Sequence, residues 1–325
     1  MRMAIRWGII GCGDVAKKRV ARAIQNDANS KLGAVCRRDE TKLQSFAEEF
    51  GVSVATTSAD EVINSPEIDA VYIATPVNLH RPQTVAAAAA GKHVLVEKPM
   101  AMSTAECNEM IAACDTADVR LGVAYYRPFY PVVHRMQKLV QSDEIGKVLS
   151  VSATTCTPFA IDAGEDGYWR VIPEAGGGGA LMDVGSHRLD LFLRMFGSVA
   201  DVKAQCSTVA ASYQADDVST LALRFESGIH GLLHCCFGSS TDPDEFAILG
   251  TNGRLVSRPL NGGELIIEHG REQIIEQHPP ASNFNSPLIA DFSAAILESR
   301  SPLISGESGR AVNFVMEQAY AGSRQ

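Results

Sequence analysis

Val94-Leu95-Val96-Glu97-Lys98-Pro99 is the stretch from which the fold is read. Three apolar residues, two of them β-branched, mark a buried strand, and a charged pair closed by a proline follows at once. In an open α/β sheet, ligands collect just beyond the carboxyl ends of the strands. Glu97 and Lys98 are therefore delivered to the place where chemistry would happen.

Working upstream, the same strand-to-turn logic recurs. Ala4 to Ile10 reads as a strand and runs into Gly11-Cys12-Gly13-Asp14-Val15-Ala16, a GxGxxA turn that opens a helix through Ile24. The first glycine permits the tight turn and the second lets the backbone approach a pyrophosphate. Small Ala16 allows close helix–strand packing, while the helix start offers its amides to phosphate. Taken alone, such a turn is also compatible with a plain strand-to-helix connection. The second strand, Leu32 to Cys36, ends in Arg37-Arg38, where an NAD enzyme would carry an acid for the ribose 2′-hydroxyl. Two guanidiniums suit a 2′-phosphate, and Lys42, one helical turn on, adds a third positive charge. This favours NADP over NAD; the competing reading is a solvated strand end with Asp39 capping the next helix. Helix 41–50 closed by Gly51, strand 52–54, and a buried strand Ile68 to Ala74 follow. That strand ends in Thr75-Pro76-Val77-Asn78-Leu79-His80, polar residues at the ligand rim. His80 is read as a cofactor or substrate contact, with plain exposure as the alternative. A helix from Arg81-Pro82 to Gly91, the opening stretch, helix 107–117 and strand 119–123 complete a doubly wound parallel sheet.

At 325 residues the chain exceeds one ordinary core, and domains at 1–124 and 125–325 are expected. The content is 46% hydrophobic and 21% charged, which is globular, and the formal net charge of −9 disfavours nucleic acid or an anionic membrane as partner. Met1 to Ile10 shows no signal-peptide pattern, and no apolar run approaches the roughly 20 residues of a membrane span. Eight cysteines form no CxxC pair, so buried thiols in a reducing cytoplasm are expected.

Past Arg127 the pattern changes. Helix 131–141 is amphipathic, strand 147–156 follows, and strand-like runs at 199–209, 218–225, 229–236, 245–249 and 265–267 succeed one another with short turns. An α+β domain with an open, mostly antiparallel sheet is expected, followed by helices at 287–298 and 307–320. Between the first strand and the rest lie Tyr168-Trp169-Arg170 and then Gly176-Gly177-Gly178-Gly179, read as allowing close backbone approach to a ligand. Asp183 and His187, four apart, fall on one face of a helix, and Asp190 is a second acid nearby.

With the GxGxxA turn, Thr75-Pro76 through His80, Ala89 through Pro99, Arg127-Pro128 and the Asp183-to-His187 segment in register, the chain resembles the glucose–fructose oxidoreductase / inositol dehydrogenase / MocA family over nearly its whole length. The resemblance implies that Lys98 is catalytic and contacts the nicotinamide ribose, that the Lys98-Pro99 bond is cis, and that Asp183 and His187 handle the substrate-side proton. It implies further cofactor contacts near Arg127, Trp169 and Arg170, and a dimer or tetramer built through the second domain's sheet. The expected activity is hydride transfer between a nicotinamide cofactor and a secondary alcohol or ketone of a sugar, polyol or related cyclic substrate. His187 serves as general base, Asp183 or Asp190 orients it or Asp183 holds a substrate hydroxyl, and Lys98 stabilises alkoxide charge. Lys98 and His187 are expected to converge on one carbon–oxygen bond. The alternative is a non-catalytic dinucleotide-binding regulator of the same fold. No metal is expected, because Asp183 and His187 lack further ligands at usable spacing.

Overall fold

The computed structural model describes residues 4–323; Met1 to Met3, the start of the stretch read for a signal peptide, lie outside the described residues. The first six strands are short; four of them are almost wholly buried, as apolar runs bounded by turn residues require, whereas the second is partly exposed and the third has no buried residue. They are β1 (Ile5–Ile10), β2 (Ser30–Cys36), β3 (Val54–Thr56), β4 (Ala70–Ile73), β5 (His93–Val96) and β6 (Leu121–Val123). All pair in parallel in the order β3-β2-β1-β4-β5-β6. The order reverses between β1 and β4, which places the crevice for a ligand at the ends of those strands. Helices α1 (Ala21–Asn26), α2 (Glu40–Phe50), α3 (Ala59–Ile63), α4 (His80–Ala89) and α5 (Thr104–Thr116) make the crossovers. Three of the five starts are fixed by side chains: Asp39 accepts from the Lys42 amide, Ser58 from Glu61 and Ser103 from Glu106. The short α3 was not read from the sequence.

The second sheet holds β7 (Val148–Cys156), β8 (Val199–Ser207), β9 (Val218–Phe225), β10 (His230–Cys236), β11 (Asp244–Gly250), β12 (Arg254–Ser257), β13 (Glu264–His269) and β14 (Glu272–Gln277). Its order is β14-β13-β12-β11-β7-β10-β9-β8, with β7 and β10 parallel and every other pair antiparallel. Strand β9 alternates buried and exposed residues along its length, the mark of a sheet covered on one face. Helices α6 (Pro131–Gln141), α7 (Pro173–Gly176) and α8 (Ser186–Phe196) belong with it. Phe192 meets Phe246 at 5.7 Å and Phe196 meets Phe225 at 5.8 Å, so α8 lies on the covered face. Strands β12 and β14 were missed in the sequence; β14 reads EQIIEQ, with no residue buried and too little apolar content to signal a strand.

Two compact units result: one runs through Tyr126 and adds Ser282–Arg310, and the other comprises Arg127–Ala281 and the chain from Ala311 on. The expected division at 124/125 therefore needs correcting for the return of 282–310, which carries α9 (Ser286–Leu297), to the first unit. An apolar helix does not announce which core it fills. Here Phe292 meets Trp7 at 5.6 Å and the Ser293 hydroxyl lies 2.8 Å from that of Ser30. The final helix, α10, spans Gly306–Ser323. All eight cysteines are free, and seven are buried. Among the described residues no helix is long and apolar enough to cross a membrane.

Candidate active site

Four strand ends of the parallel sheet carry the expected cofactor residues. Gly11 follows β1 with φ +94, and a Cβ there would stand 2.7 Å from the Ala74 carbonyl, so only glycine fits between the ends of β1 and β4. A Cβ on Gly13 would meet nothing within 4 Å, which leaves open space beside the backbone where a pyrophosphate would lie. Ala16 is fully buried, and the helix enters through a π-type stretch, Ala16–Val20, before α1. The Cys12 thiol faces inward, 3.8 Å from the Ile9 carbonyl, and burial raises its pKa to about 12. Only the Cys12 backbone is therefore on offer, while Asp14 is exposed and paired with Lys18. Val15 is half-buried in the same turn.

At the end of β2, Arg37 donates through Nη1 to the Cys12 carbonyl, tying the second strand to the glycine turn. Arg38 and Lys42 are exposed. Asp39 is occupied: its carboxylate accepts from the Lys42 amide at 3.0 Å and lies 3.8 Å from Lys42 Nζ. The loop after β4 presents half-buried Thr75 and Pro76 and exposed Asn78, with the Thr75 hydroxyl 2.7 Å from Gln83 Oε1.

His80 departs from the sequence reading. Its side chain is fully buried, with Nδ1 3.1 Å from the Pro99 carbonyl and Nε2 2.9 Å from the Thr75 carbonyl. The imidazole holds the loop after β4 to the turn after β5, and its expected contact with a ligand is corrected accordingly. A neutral ring carries one N–H and serves one carbonyl at a time; a charged ring would serve both. Burial nonetheless holds the ring neutral, lowering its pKa to about 4.

Glu97 follows β5. Its carboxylate accepts from the Tyr72 hydroxyl at 2.6 Å and from the Lys98 amide at 3.1 Å, so it shapes the turn from which Lys98 emerges. The Lys98-Pro99 bond is cis, as the resemblance implied.

In the second unit, Asp183 sits in a π-type stretch, Leu181–Gly185, that leads into α8, where His187 is buried at 5% exposure. The wider π turn changes the simple i, i+4 geometry expected of a regular helix. Arg170 Nε lies 3.7 Å from Asp183 Oδ2, its Nη1 donates to the Gly167 carbonyl at 3.3 Å, and its guanidinium stacks 5.1 Å over Trp169. Trp169, Arg170 and Asp183 thus form one group. Asp190 is buried beside Arg194 at 3.9 Å, and burial pushes its carboxyl up to about 7. Arg127, on the turn before α6, contributes to the field at that carboxyl. The four glycines do not line an open approach. Gly176 packs against the Trp169 and Arg170 carbonyls, and Gly178 and Gly179 pack against Tyr320 and Asp216 of the same unit, two residues that no local sequence signal singled out.

A parallel sheet in this order, with a glycine turn after its first strand and open space over Gly13, defines a dinucleotide-binding Rossmann protein. Residues 5–125 match the family described as "Oxidoreductase family, NAD-binding Rossmann fold", and residues 133–256 match the "GFO/IDH/MocA C-terminal domain". The chain is 37% identical over 258 residues to Oxidoreductase P35 of Formosa agariphila, covering 78% of this chain and 79% of that one. It is 31% identical over 317 residues to the 1,5-anhydro-D-fructose reductase of Ensifer adhaerens, 94% of this chain and 92% of that one. The aldose-aldose oxidoreductase from Caulobacter crescentus, complexed with glycerol, superposes with a TM-score of 0.90 at 28% identity over 99% of this chain and 98% of that chain. The chain belongs to the Gfo/Idh/MocA family and is an NAD(P)-dependent oxidoreductase.

Proposed function

We propose that this protein transfers hydride between NADP and a secondary alcohol or ketone of a sugar, polyol or related cyclic compound. The observation that carries the cofactor preference is the end of β2: Arg38 and Lys42 are exposed, while Asp39, the acid that directly follows the two arginines, caps α2. A 2′-phosphate finds charge-assisted donors at that position, and Asp39, where a ribose 2′-hydroxyl would look for an acid, is engaged in capping α2. The glycine turn suits the pyrophosphate, and the loop with Thr75, Pro76 and Asn78 and the turn with Glu97 and Lys98 supply further contacts. The names of the two relatives, an anhydro-sugar reductase and an aldose oxidoreductase, support a sugar as substrate.

The catalytic groups in this reading are Lys98, Asp183 and His187. The bound nicotinamide supplies or takes up the hydride. His187 accepts the hydroxyl proton in oxidation and returns it in reduction. The Lys98 ammonium binds the substrate oxygen and stabilises alkoxide charge. Asp183, held by Arg170, orients the imidazole or a substrate hydroxyl. Trp169, Arg170 and Arg127 serve the cofactor side by position or by contact.

We also propose that the chain self-associates through the open face of its second sheet. Leu232, Ser152, Ala247, Val256, Ile266 and Ile275 lie directly opposite one another across six strands. Leu232 and Ile275, at the ends of that row, are 54% and 60% exposed, while Ala247, Val256 and Ile266 between them are buried. Arg254 pairs with Glu245 across the middle of that row and with Glu268 beside it, so the exposed apolar ends adjoin a charged centre, the mixed character that interfaces show.

The functional reading is tested by following nicotinamide absorbance with NADPH and NADH against aldoses, anhydro-ketoses, polyols and dihydrodiols. It expects turnover with at least one sugar-type compound, and at least about tenfold higher kcat/KM with the phosphorylated cofactor. Preference for NAD overturns the cofactor assignment. Tight NADPH binding without turnover on any compound favours the regulator instead.

A further inference from the structure

Gly178 and Gly179 stand so close to Tyr320 and Asp216 that a Cβ on either would collide with the Tyr320 hydroxyl or the Asp216 carbonyl. This close approach builds an anion site whose occupant is the chain itself. Asp216 is 7% exposed, and its carboxylate accepts four hydrogen bonds. Oδ1 takes the Gly179 amide at 2.8 Å and the Tyr320 hydroxyl at 2.7 Å. Oδ2 takes the Leu181 amide at 3.0 Å and the Ser219 hydroxyl at 2.8 Å. The Asp216 main-chain carbonyl accepts from the Ala180 amide at 2.9 Å. Three consecutive amides at the start of the helical segment are thus held by one residue some 35 positions away. The next link reaches Asp183, whose amide donates to the Gly179 carbonyl at 3.0 Å.

We propose that Asp216 and Tyr320 are positioning residues that fix the start of the segment presenting Asp183 and His187. A carboxylate there both satisfies the orphan amides and complements the helix dipole. Tyr320, from α10, makes the last helix of the chain part of that arrangement. The inference rests on the roles proposed above for Asp183 and His187. Asp216→Asn keeps the shape but turns one acceptor into a donor facing an amide, which cannot reverse its own role. Tyr320→Phe keeps the packed ring and removes a single hydrogen bond.

The test measures kcat, KM, NADPH Kd and peptide amide exchange in Asp216→Asn, Tyr320→Phe and His187→Asn. Tyr320→Phe serves alone if Asp216→Asn does not fold. Loss of about one to two charge-assisted hydrogen bonds predicts a kcat about 100-fold lower in Asp216→Asn and about tenfold lower in Tyr320→Phe, with NADPH Kd within about twofold. Amide exchange over residues 179–183 accelerates in both. In the His187→Asn background, Asp216→Asn lowers the residual kcat by less than about threefold, since positioning acts through the missing ring. Unchanged kcat in folded Asp216→Asn, or a full 100-fold loss in both backgrounds, overturns the positioning role. Full turnover in His187→Asn instead overturns the reading of His187, an outcome separable from unchanged amide exchange, which overturns the clamp itself.

Discussion

Replacing Asp190 with Asn isolates one titration that the fold imposes on stability. The side chain is 2% exposed, and its pKa is pushed from 3.8 to about 7, chiefly by burial, against the pull of Arg194 and Arg127. Arg194 Nη2 stands 3.9 Å from Oδ1, and Oδ2 meets no hydrogen-bond donor among the described residues. The native carboxyl therefore keeps a proton that the unfolded chain has already released. Because the folded pKa is the higher one, its stabilising contribution is complete below about pH 4 and is lost as the pH rises through about 7. A shift of roughly three units at about 1.4 kcal/mol each amounts to about 4 kcal/mol across that window. Asp190→Asn removes the titration. Its stability relative to the unsubstituted protein should rise by up to about 4 kcal/mol between acid and pH values above about 7. Urea unfolding at a series of pH values measures this directly, from midpoints at a common slope. A difference between the two proteins that stays flat with pH would refute the assignment of the buried proton to Asp190.

His80 bears on stability with the opposite sign. Its pKa is lowered to about 4 by burial, so its contribution is present above about pH 6.5 and lost on acidification to about 4, by roughly 3 kcal/mol. His80→Gln should therefore lose less melting temperature on acidification than the unsubstituted protein, as read by calorimetry. Arg38→Ala should raise the KM for NADPH by about tenfold to 100-fold and leave that for NADH within about twofold, as steady-state kinetics will show. Leu232→Glu should lower the mass seen by sedimentation without unfolding the chain, because a carboxylate then sits in the apolar row of the open sheet face.

The parts legible in the sequence were those written locally. Strand β4 is four buried apolar residues, and the Gly11–Ala16 turn carries its reasons in adjacent positions. The parallel pairing of the first sheet and the strand ends bearing Arg37, Thr75 and Lys98 followed from these, whereas the order of its strands did not. What could not be read depended on partners distant in the chain. Gly178 and Gly179 look like a flexible approach until Tyr320 and Asp216 are brought against them. His80 looks like a rim residue until the Pro99 carbonyl closes over it. Helix α9 has an apolar face that fits either core, and only the contacts of Phe292 and Ser293 with Trp7 and Ser30 say which. Strand β14 exists because β13 offers it an edge, not because EQIIEQ favours extended chain.

The account depends most on Lys98 acting in the reaction while the cofactor is held by other groups. Measuring kcat and NADPH Kd side by side for Lys98→Ala addresses that point most directly. We expect kcat to fall at least about 100-fold, the cost of removing a preorganised group that stabilises developing charge, with Kd within about threefold. A Lys98→Ala enzyme that turns over at the unsubstituted rate would contradict it.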